Sequence, residues 1–332
     1  MSKTASEYDV VAMGEPLVQF SPLESGPLSQ AGIFDKHAAG AESNVLIGLS
    51  RLGHKTALIS KVGTDELSRF VLTTLRGEGV DTRWVKQVAG KNVGVYIAQR
   101  NYPVPGKNDV IYFRGESAAR TISVADVPDG AIKRSRVFHL SGITPALSVS
   151  CRRASLHASR LAKKHGVMFS FDPNYRRKLW SVASARPAFR SLAGLADLLF
   201  LDATEASIIL GSARAGRRPE AALRALSELG PETVVLKLGA EGGLAALKKG
   251  KYFHVPSFKV PVVDVIGAGD AVVSGFIAGL LRNEDVRVCL RWAAASSALV
   301  VMRRGDFENL PTRHDLQNFL AAMEASSDFD PR

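Results

Sequence analysis

Val262 to Leu281 reads VVDVIGAGDAVVSGFIAGLL, and this stretch decides the fold. A β-branched run ends at Val265, glycines follow at Gly267 and Gly269, and Asp270 stands where an apolar helical pattern begins. Val272, Val273, Phe276, Ile277, Leu280 and Leu281 recur at helical spacing, while Ala271, Ser274, Gly275, Ala278 and Gly279 keep the other side small enough for close packing. The pattern predicts a short strand, a glycine turn and a buried helix.

The first turn of a helix leaves four backbone N–H groups without internal partners, at the positive end of the helix dipole. Glycines there let the chain close on a tetrahedral anion. A carboxylate in that place repels phosphate oxygens, which is tolerable if Asp270 takes a proton from a hydroxyl attacking the phosphate. The alternative is that Asp270 caps the helix, and GAGD by itself leaves both readings open.

Outward from this stretch the chain alternates strands and helices. Strands are expected at Tyr8–Met13, Lys55–Val62, Arg136–Leu140, Val167–Asp172, Asp197–Leu201 and Thr233–Leu238, with two short ones near 244–255. Helices are expected from Glu42, at Asp65–Arg76, Ser150–His165, Thr204–Leu210, Pro219–Leu229, Asp285–Met302 and Thr312–Ala325. This predicts one α/β domain over 1–332, a doubly wound mostly parallel sheet with ligands beyond the carboxyl ends of its strands. Gly14, Asp172, Asp202, Lys237 and Asp264 fall at or near such ends. Lys91–Arg100 and Asp109–Arg114 break the rhythm as a hairpin, joined by the turn-rich NYPVPGK. With part of 15–37, this segment of about 91–120 is expected to form a small sheet covering a site.

Composition narrows the classes. Hydrophobic residues make up 46% and charged residues 23%, and no apolar run reaches the roughly 18 residues of a membrane span. Residues 1–15 lack the basic-then-apolar pattern of a secretory signal. Two cysteines, Cys151 and Cys289, make neither a disulfide framework nor a ligand cluster, so a reducing cytoplasm is expected. The net charge of +11 concentrates anionic ligands, but the basic pairs are not interleaved with aromatics and no nucleic-acid module is present. A soluble protein without nucleic-acid or membrane partners is the expectation.

Other candidate positions are individually ambiguous. Gly239, Gly242 and Gly243 in KLGAEGG either let backbone approach a nucleotide or form a hairpin turn; no GxxxxGK[ST] loop or GxGxxG fingerprint is present. Glu205 either holds magnesium through water or complements a helix dipole. Arg114 and Arg176 are arginines that can clamp a carboxylate or sit in solvent. Glu42 and Asn44 offer hydrogen bonds to hydroxyls or cap a helix.

Taken together, GAESNVLIGLSRLG at 40–53 and DVIGAGDAVVSGFIAG at 264–279 resemble the two signature regions of the ribokinase-like (PfkB) carbohydrate kinases, and the likeness extends from about Val10 to Leu320. Within that family, GEPLVQF at 14–20, FDKHAAGAESN at 34–44, QRNYPVPGKNDVIYFRGESA at 99–118, LSGITPALS at 140–148, NYRRKLW at 174–180 and RGD at 304–306 resemble the 2-keto-3-deoxygluconate kinases.

The resemblance implies transfer of the γ-phosphoryl group of ATP to the 6-hydroxyl of a sugar acid. It implies Asp270 as base and Gly267, Ala268 and Gly269 as the amide cradle. Gly40, Ala41, Glu42, Asn44, Tyr96, Tyr112, Arg114, Arg176 and Asp306 are then the sugar side. Asn174, Lys237, Gly239 and Gly242, with Gly267 and Gly269, are the nucleotide side, and Glu205 assists Mg2+ through water. A lid of this kind is a ready interface, so a homo-oligomer through it is expected. Alternatives on the same fold are a fructokinase, a 5-dehydro-2-deoxygluconokinase or a non-catalytic sensor.

This chain departs from the pattern in places. Ile266 replaces the usual threonine, removing a polar contact near the phosphates or an adjoining monovalent cation; Asp202 replaces the usual asparagine. Phe113 is a mild change in the lid, whereas Glu116 and Ala119 bear on which epimer it accepts or how it closes.

Overall fold

The β-branched and aromatic runs do form strands, and these sort into two sheets. The computed structural model describes residues 6–24, 26–100, 102–104, 108–212, 218–248 and 250–325. In chain order they form β1 (Tyr8–Met13), β2 (Leu17–Pro22), β3 (Phe34–Ala39), α1 (Ala41–Arg51), β4 (Thr56–Val62), α2 (Glu66–Gly77), β5 (Val80–Asp81), β6 (Val85–Gln87), β7 (Gly94–Arg100) and β8 (Asn108–Phe113). There follow α3 (Asp129–Lys133), β9 (Ser135–Ser141), α4 (Ile143–Leu147), α5 (Val149–His165), β10 (Met168–Asp172), α6 (Val182–Ala193), β11 (Leu198–Asp202), α7 (Ala203–Leu210) and α8 (Pro219–Ser227). The chain closes with β12 (Thr233–Lys237), β13 (Gly243–Leu247), β14 (Tyr252–Val255), α9 (Ala268–Leu281), α10 (Val286–Val301) and α11 (Arg313–Ala325).

The large sheet runs β14-β13-β12-β11-β10-β9-β1-β4-β5, with β6 also on β4. From β12 to β5 every pairing is parallel; β13 and β14 finish one edge antiparallel. Alternation along each strand builds a core on either face. Val10 and Ala12 of β1 join Leu46 of α1, Val71 of α2, Phe276 of α9 and Leu290 of α10, while Val11 and Met13 join Cys151 of α5, Phe189 of α6 and Leu223 of α8. No helix among the described residues is long and apolar enough to cross a membrane.

Local chemistry sets the helix ends. The Asp65 side chain caps α2 through the amides of Leu67 and Ser68, and α5 ends on Gly166 at φ 66°, where a side chain would be strained. At α7, Asp202 and Glu205 form a reciprocal capping box.

Two expectations fail. Residues 260–265 form no strand: Val262, Val263 and Val265 are about half exposed or more, Val263 and Asp264 are held through amide bonds to Val301 O, and Val265 O accepts from Ala268 N. Asp264 is therefore not at a strand end. The sequence reading also omitted α6, whose inward positions, Ala185, Ala188, Phe189, Leu192 and Ala193, are mostly alanine and whose interior holds Pro187. Parts of NYPVPGK (101 and 105–107) and of the polar stretch 211–219 (213–217) lie outside the described residues.

The second sheet is the lid, in the order β3-β2-β7-β8, with β2 parallel to β7 and both hairpins antiparallel. Gly94, Tyr96, Ala98 and Arg100 of β7 are buried on its inner face; Ile111 and Phe113 of β8 are exposed on the outer one.

Candidate active site

Four strands of the large sheet deliver polar residues to one end: Gly14 and Glu15 follow β1, Asp172 ends β10, Asp202 ends β11 and Lys237 ends β12. Opposite them α9 begins. Gly267 is its N-cap at φ 79°, and a Cβ there would stand 2.7 Å from the carbonyl oxygen of Asp306, so only glycine fits without movement. Asp270 is the third residue inside the helix, not the cap, and its side chain reaches other elements. Asn44 Nδ2 donates to Asp270 Oδ2 at 2.8 Å, and Asn174 Nδ2 lies 3.4 Å from Oδ1. Ala271 N is bonded back to Gly267 O at 2.9 Å and Ala268 N donates to Val265 O at 3.3 Å, so the amides of Gly269 and Asp270 are left in the open first turn.

Beside this turn a cavity of about 750 Å³ is lined by Lys237, Gly239, Gly242, Val262, Gly269 and Ala298 among others. KLGAEGG serves both of its readings: it is the turn between β12 and antiparallel β13, and its glycines line the cavity. Gly242, at φ 95°, could not carry a side chain without meeting Val255 O at 2.1 Å.

The other side of Asp270 faces the lid. Asn44 donates its second amide hydrogen to Asp306 Oδ1 at 2.6 Å, and Tyr96 OH donates to Asp306 Oδ2 at 2.7 Å with Gln19 Oε1 at 3.0 Å. One amide thus bridges two buried carboxylates. Burial pushes Asp270 up to about 7, reinforced by Asp306 and Asp172 and opposed by the Asn44 bond and by Arg176. Burial likewise raises Asp306 to about 6, against the bonds from Tyr96 and Asn44. Tyr96 is driven well up, first by burial and then by Asp306.

A charged cluster lies at the strand ends. Lys237 Nζ donates to both oxygens of Asp172, at 2.9 and 2.8 Å, and stands 4.0 Å from Glu205 Oε2. Burial pulls Lys237 down, but Asp172 and Glu205 outweigh it and hold it protonated. Glu205 is raised to about 7 by burial. Its oxygens accept the amides of Tyr175 and Asp202, both at 2.7 Å, and no group of three potential ligands is assembled among the described residues. Such a carboxylate fits a water-mediated contact to a hard cation that keeps most of its hydration.

The remaining candidates divide. Gly40 caps α1 at φ 119°, where a Cβ would meet Glu15 O at 2.5 Å, and Ala41 is buried behind it. Glu42 is engaged inside the protein: Oε1 accepts from Ser141 N, Ser141 Oγ and Thr144 Oγ1, and burial raises its pKa. Arg114 is buried and ion-paired to Glu15, with Tyr112 5.1 Å from its guanidinium, so its charge is already balanced. Tyr112 is half-buried, its ring 6.0 Å from that of Tyr96. Arg176 is exposed, and its charge acts on Asp270. Ile266 packs with Leu17, Ala39, Tyr96 and Ala98 of the lid, which accounts for an apolar residue there. Sequence reasoning missed Glu15, Gln19 and Arg100, all buried and polar; Gln19 and Arg100 sit on the inner sides of β2 and β7, and Glu15 in the link between β1 and β2.

The pattern of the pfkB family of carbohydrate kinases matches residues 8–313. A 2-dehydro-3-deoxygluconokinase of Thermoproteus tenax is 41% identical over 316 residues, covering 95% of this chain and 94% of that one. The enzyme of the same name from Bacillus subtilis (strain 168) is 35% identical, covering 96% and 97%. A ribokinase II from E. coli, solved in complex with ATP and Mg2+, superposes with a TM-score of 0.87 at 27% identity, covering 95% of this chain and 99% of that one.

Proposed function

The chain belongs to the pfkB family of carbohydrate kinases, and from that premise we propose that it phosphorylates 2-keto-3-deoxygluconate, and its galactonate epimer, at the 6-hydroxyl with ATP. One observation carries the reading: Asp270 follows Gly269, which lines the cavity, on the same helical turn as the Gly267–Gly269 amides, and is linked through Asn44 and Asp306 to Tyr96 of the lid.

In this mechanism the nucleotide lies in the cavity, its terminal phosphate against the first-turn amides, and the sugar lies under the lid. Asp270 takes the proton of the attacking hydroxyl as its oxygen bonds to phosphorus and the bond to ADP breaks. Asn44 and Asn174 aim the carboxylate. The open amide of Gly269, joined by that of Ala268 once it leaves Val265 O, stabilises charge on the transferred group, and the lid excludes water as a competing acceptor. Magnesium would be held through water by Glu205, with Asp172 close by, and would supply charge neutralisation on the phosphates. Lys237, in contact with both the cavity and Asp172, provides a fixed cation toward the nucleotide. A monovalent cation is not required by this scheme.

An acidic sugar matches the exposed Arg176 and the aromatic pair Tyr96 and Tyr112 of the lid. The outer lid face presents Phe34, Ile111 and Phe113, and a second copy of this chain would cover it. Two buried free cysteines fit a cytoplasmic setting. A coupled ADP-release assay across sugar acids and neutral sugars tests the assignment. Turnover confined to the 2-keto-3-deoxy acids supports it; faster turnover of fructose or another neutral sugar overturns it.

A further inference from the structure

We infer that Arg100 is a positioning residue that ties the lid to the turn presenting the phosphate-binding amides, so that ordering the lid also orders the cradle. The inference rests on the kinase reading above. Arg100 is the last residue of β7, its side chain is 6% exposed, and Nε donates to Asp264 Oδ2, on a side chain only 1% exposed. The other oxygen, Oδ1, accepts from Asn108 Nδ2 at 3.0 Å and from Ile266 N at 3.1 Å. Asn108 opens β8 directly opposite Arg100, so both strands of the hairpin grip one carboxylate. The bond to Ile266 N folds residues 264–266 into the turn that delivers Gly267. Ile266 is a second clasp, packed with Tyr96, Val110 and Tyr112 of the lid.

A buried ion pair of this kind adds little net stability compared with an apolar pair of similar volume, so its worth lies in fixing one arrangement. Arg100 makes no hydrogen bond to Asp270, Asn44 or Asp306 among the described residues, which assigns it to positioning and not to the chemistry. The turn is also held from below, Val263 N and Asp264 N donating to Val301 O at 2.8 and 3.2 Å. With the lid tie cut, the turn keeps that anchor but loses the constraint on where Gly267 to Gly269 point.

The test compares Arg100→Met, Asp264→Asn and the double variant in the full chain. Each single change leaves a buried charge unpaired and lowers Tm; the double change removes both charges and recovers it. Hydrogen exchange is read without ligand at the amides of Ile266 and Ala268, which donate to Asp264 Oδ1 and Val265 O, against those of β10 as an internal reference. In the double variant, exchange at Ile266 and Ala268 rises about tenfold while β10 stays within about twofold, and kcat falls at least about tenfold with a smaller change in the sugar KM. A double variant with recovered Tm and wild-type exchange and kcat overturns the inference. Should the double variant not fold, Asn108→Ala cuts the second lid bond and reads the same exchange; no local rise there also overturns it. If wild-type protein turns over no sugar acid, the kinase assignment fails, whereas the exchange measurement needs no substrate and decides the tie separately.

Discussion

Replacing Asp270 by Asn separates the catalytic task of this side chain from its cost to the fold. The carboxyl is raised from 3.8 to about 7 by burial. Below pH 4 it is protonated folded and unfolded alike. As pH rises from 4 to 7 the unfolded chain releases the proton while the folded chain retains it, so stability is lost progressively and the loss is complete above pH 7. At about 1.4 kcal/mol per pH unit this comes to about 4 kcal/mol. Asparagine keeps an acceptor for Asn44 Nδ2 and removes the ionisation. Spread over an unfolding entropy of roughly 0.7 kcal/mol/K for 332 residues, the gain is about 6 °C in Tm. Asp270→Asn is therefore expected to melt higher than wild type at pH 8, with the difference shrinking toward pH 5. Its kcat falls by a factor of about 10² to 10⁴, as for loss of a general base, while the affinity for ATP stays within about twofold. Calorimetric melts from pH 5 to 8 and steady-state kinetics measure the two effects. Wild-type turnover would refute the base; a Tm difference independent of pH would refute the buried, raised carboxyl.

Other expectations follow from the same geometry. Wild-type kcat/KM falls about tenfold per pH unit below about pH 7, where Asp270 becomes protonated; a flat profile down to pH 5 contradicts its role. Gly267→Ala drives a Cβ against Asp306 O at a backbone angle that costs about 1–2 kcal/mol by itself, so the KM for ATP rises and kcat drops at least tenfold; kinetics like wild type would show that the turn yields freely. Arg114→Ala leaves Glu15 buried and unpaired, at about 3–5 kcal/mol, and Arg114→Ala with Glu15→Gln recovers most of it. A raised sugar KM that persists in that double variant assigns Arg114 to the sugar acid; a normal KM confines it to holding Glu15. Phe113→Glu with Ile111→Glu converts a dimer to monomer in sedimentation, and an unchanged oligomeric state places the interface elsewhere.

Much of this architecture is legible in the linear chain because its helices and strands carry their own periodicity. Tyr8–Met13, Lys55–Val62 and the GAGD helix were readable within a residue or two, and the absence of a helix between 91 and 120 identified the lid. The three valines at 262–265 misled because a β-branched run reads as strand, although Val262 and Val265 border a cavity, Val263 is half exposed and none lies in a strand. α6 was missed because alanine carries little hydrophobic signal. At the site, the type of residue was readable but not its partner. Arg114 looks like a free cation until the segment after β1 places Glu15 beside it, and the capping reading of Asp270 falls only once Gly267 takes the N-cap and α1, 226 residues earlier, brings Asn44 within 2.8 Å. Long-range pairs such as Arg100 with Asp264, 164 residues apart, leave no local trace.

The amide shared by Asp270 and Asp306 has a thermodynamic corollary. With one acid near 7 and the other near 6, the ligand-free protein at neutral pH holds a fraction of a proton there. Any molecule that brings charge or hydroxyls into that space changes the fraction and exchanges protons with the medium. Heats of association measured in Tris and in phosphate will therefore differ, and their dependence on buffer ionisation enthalpy counts the protons moved.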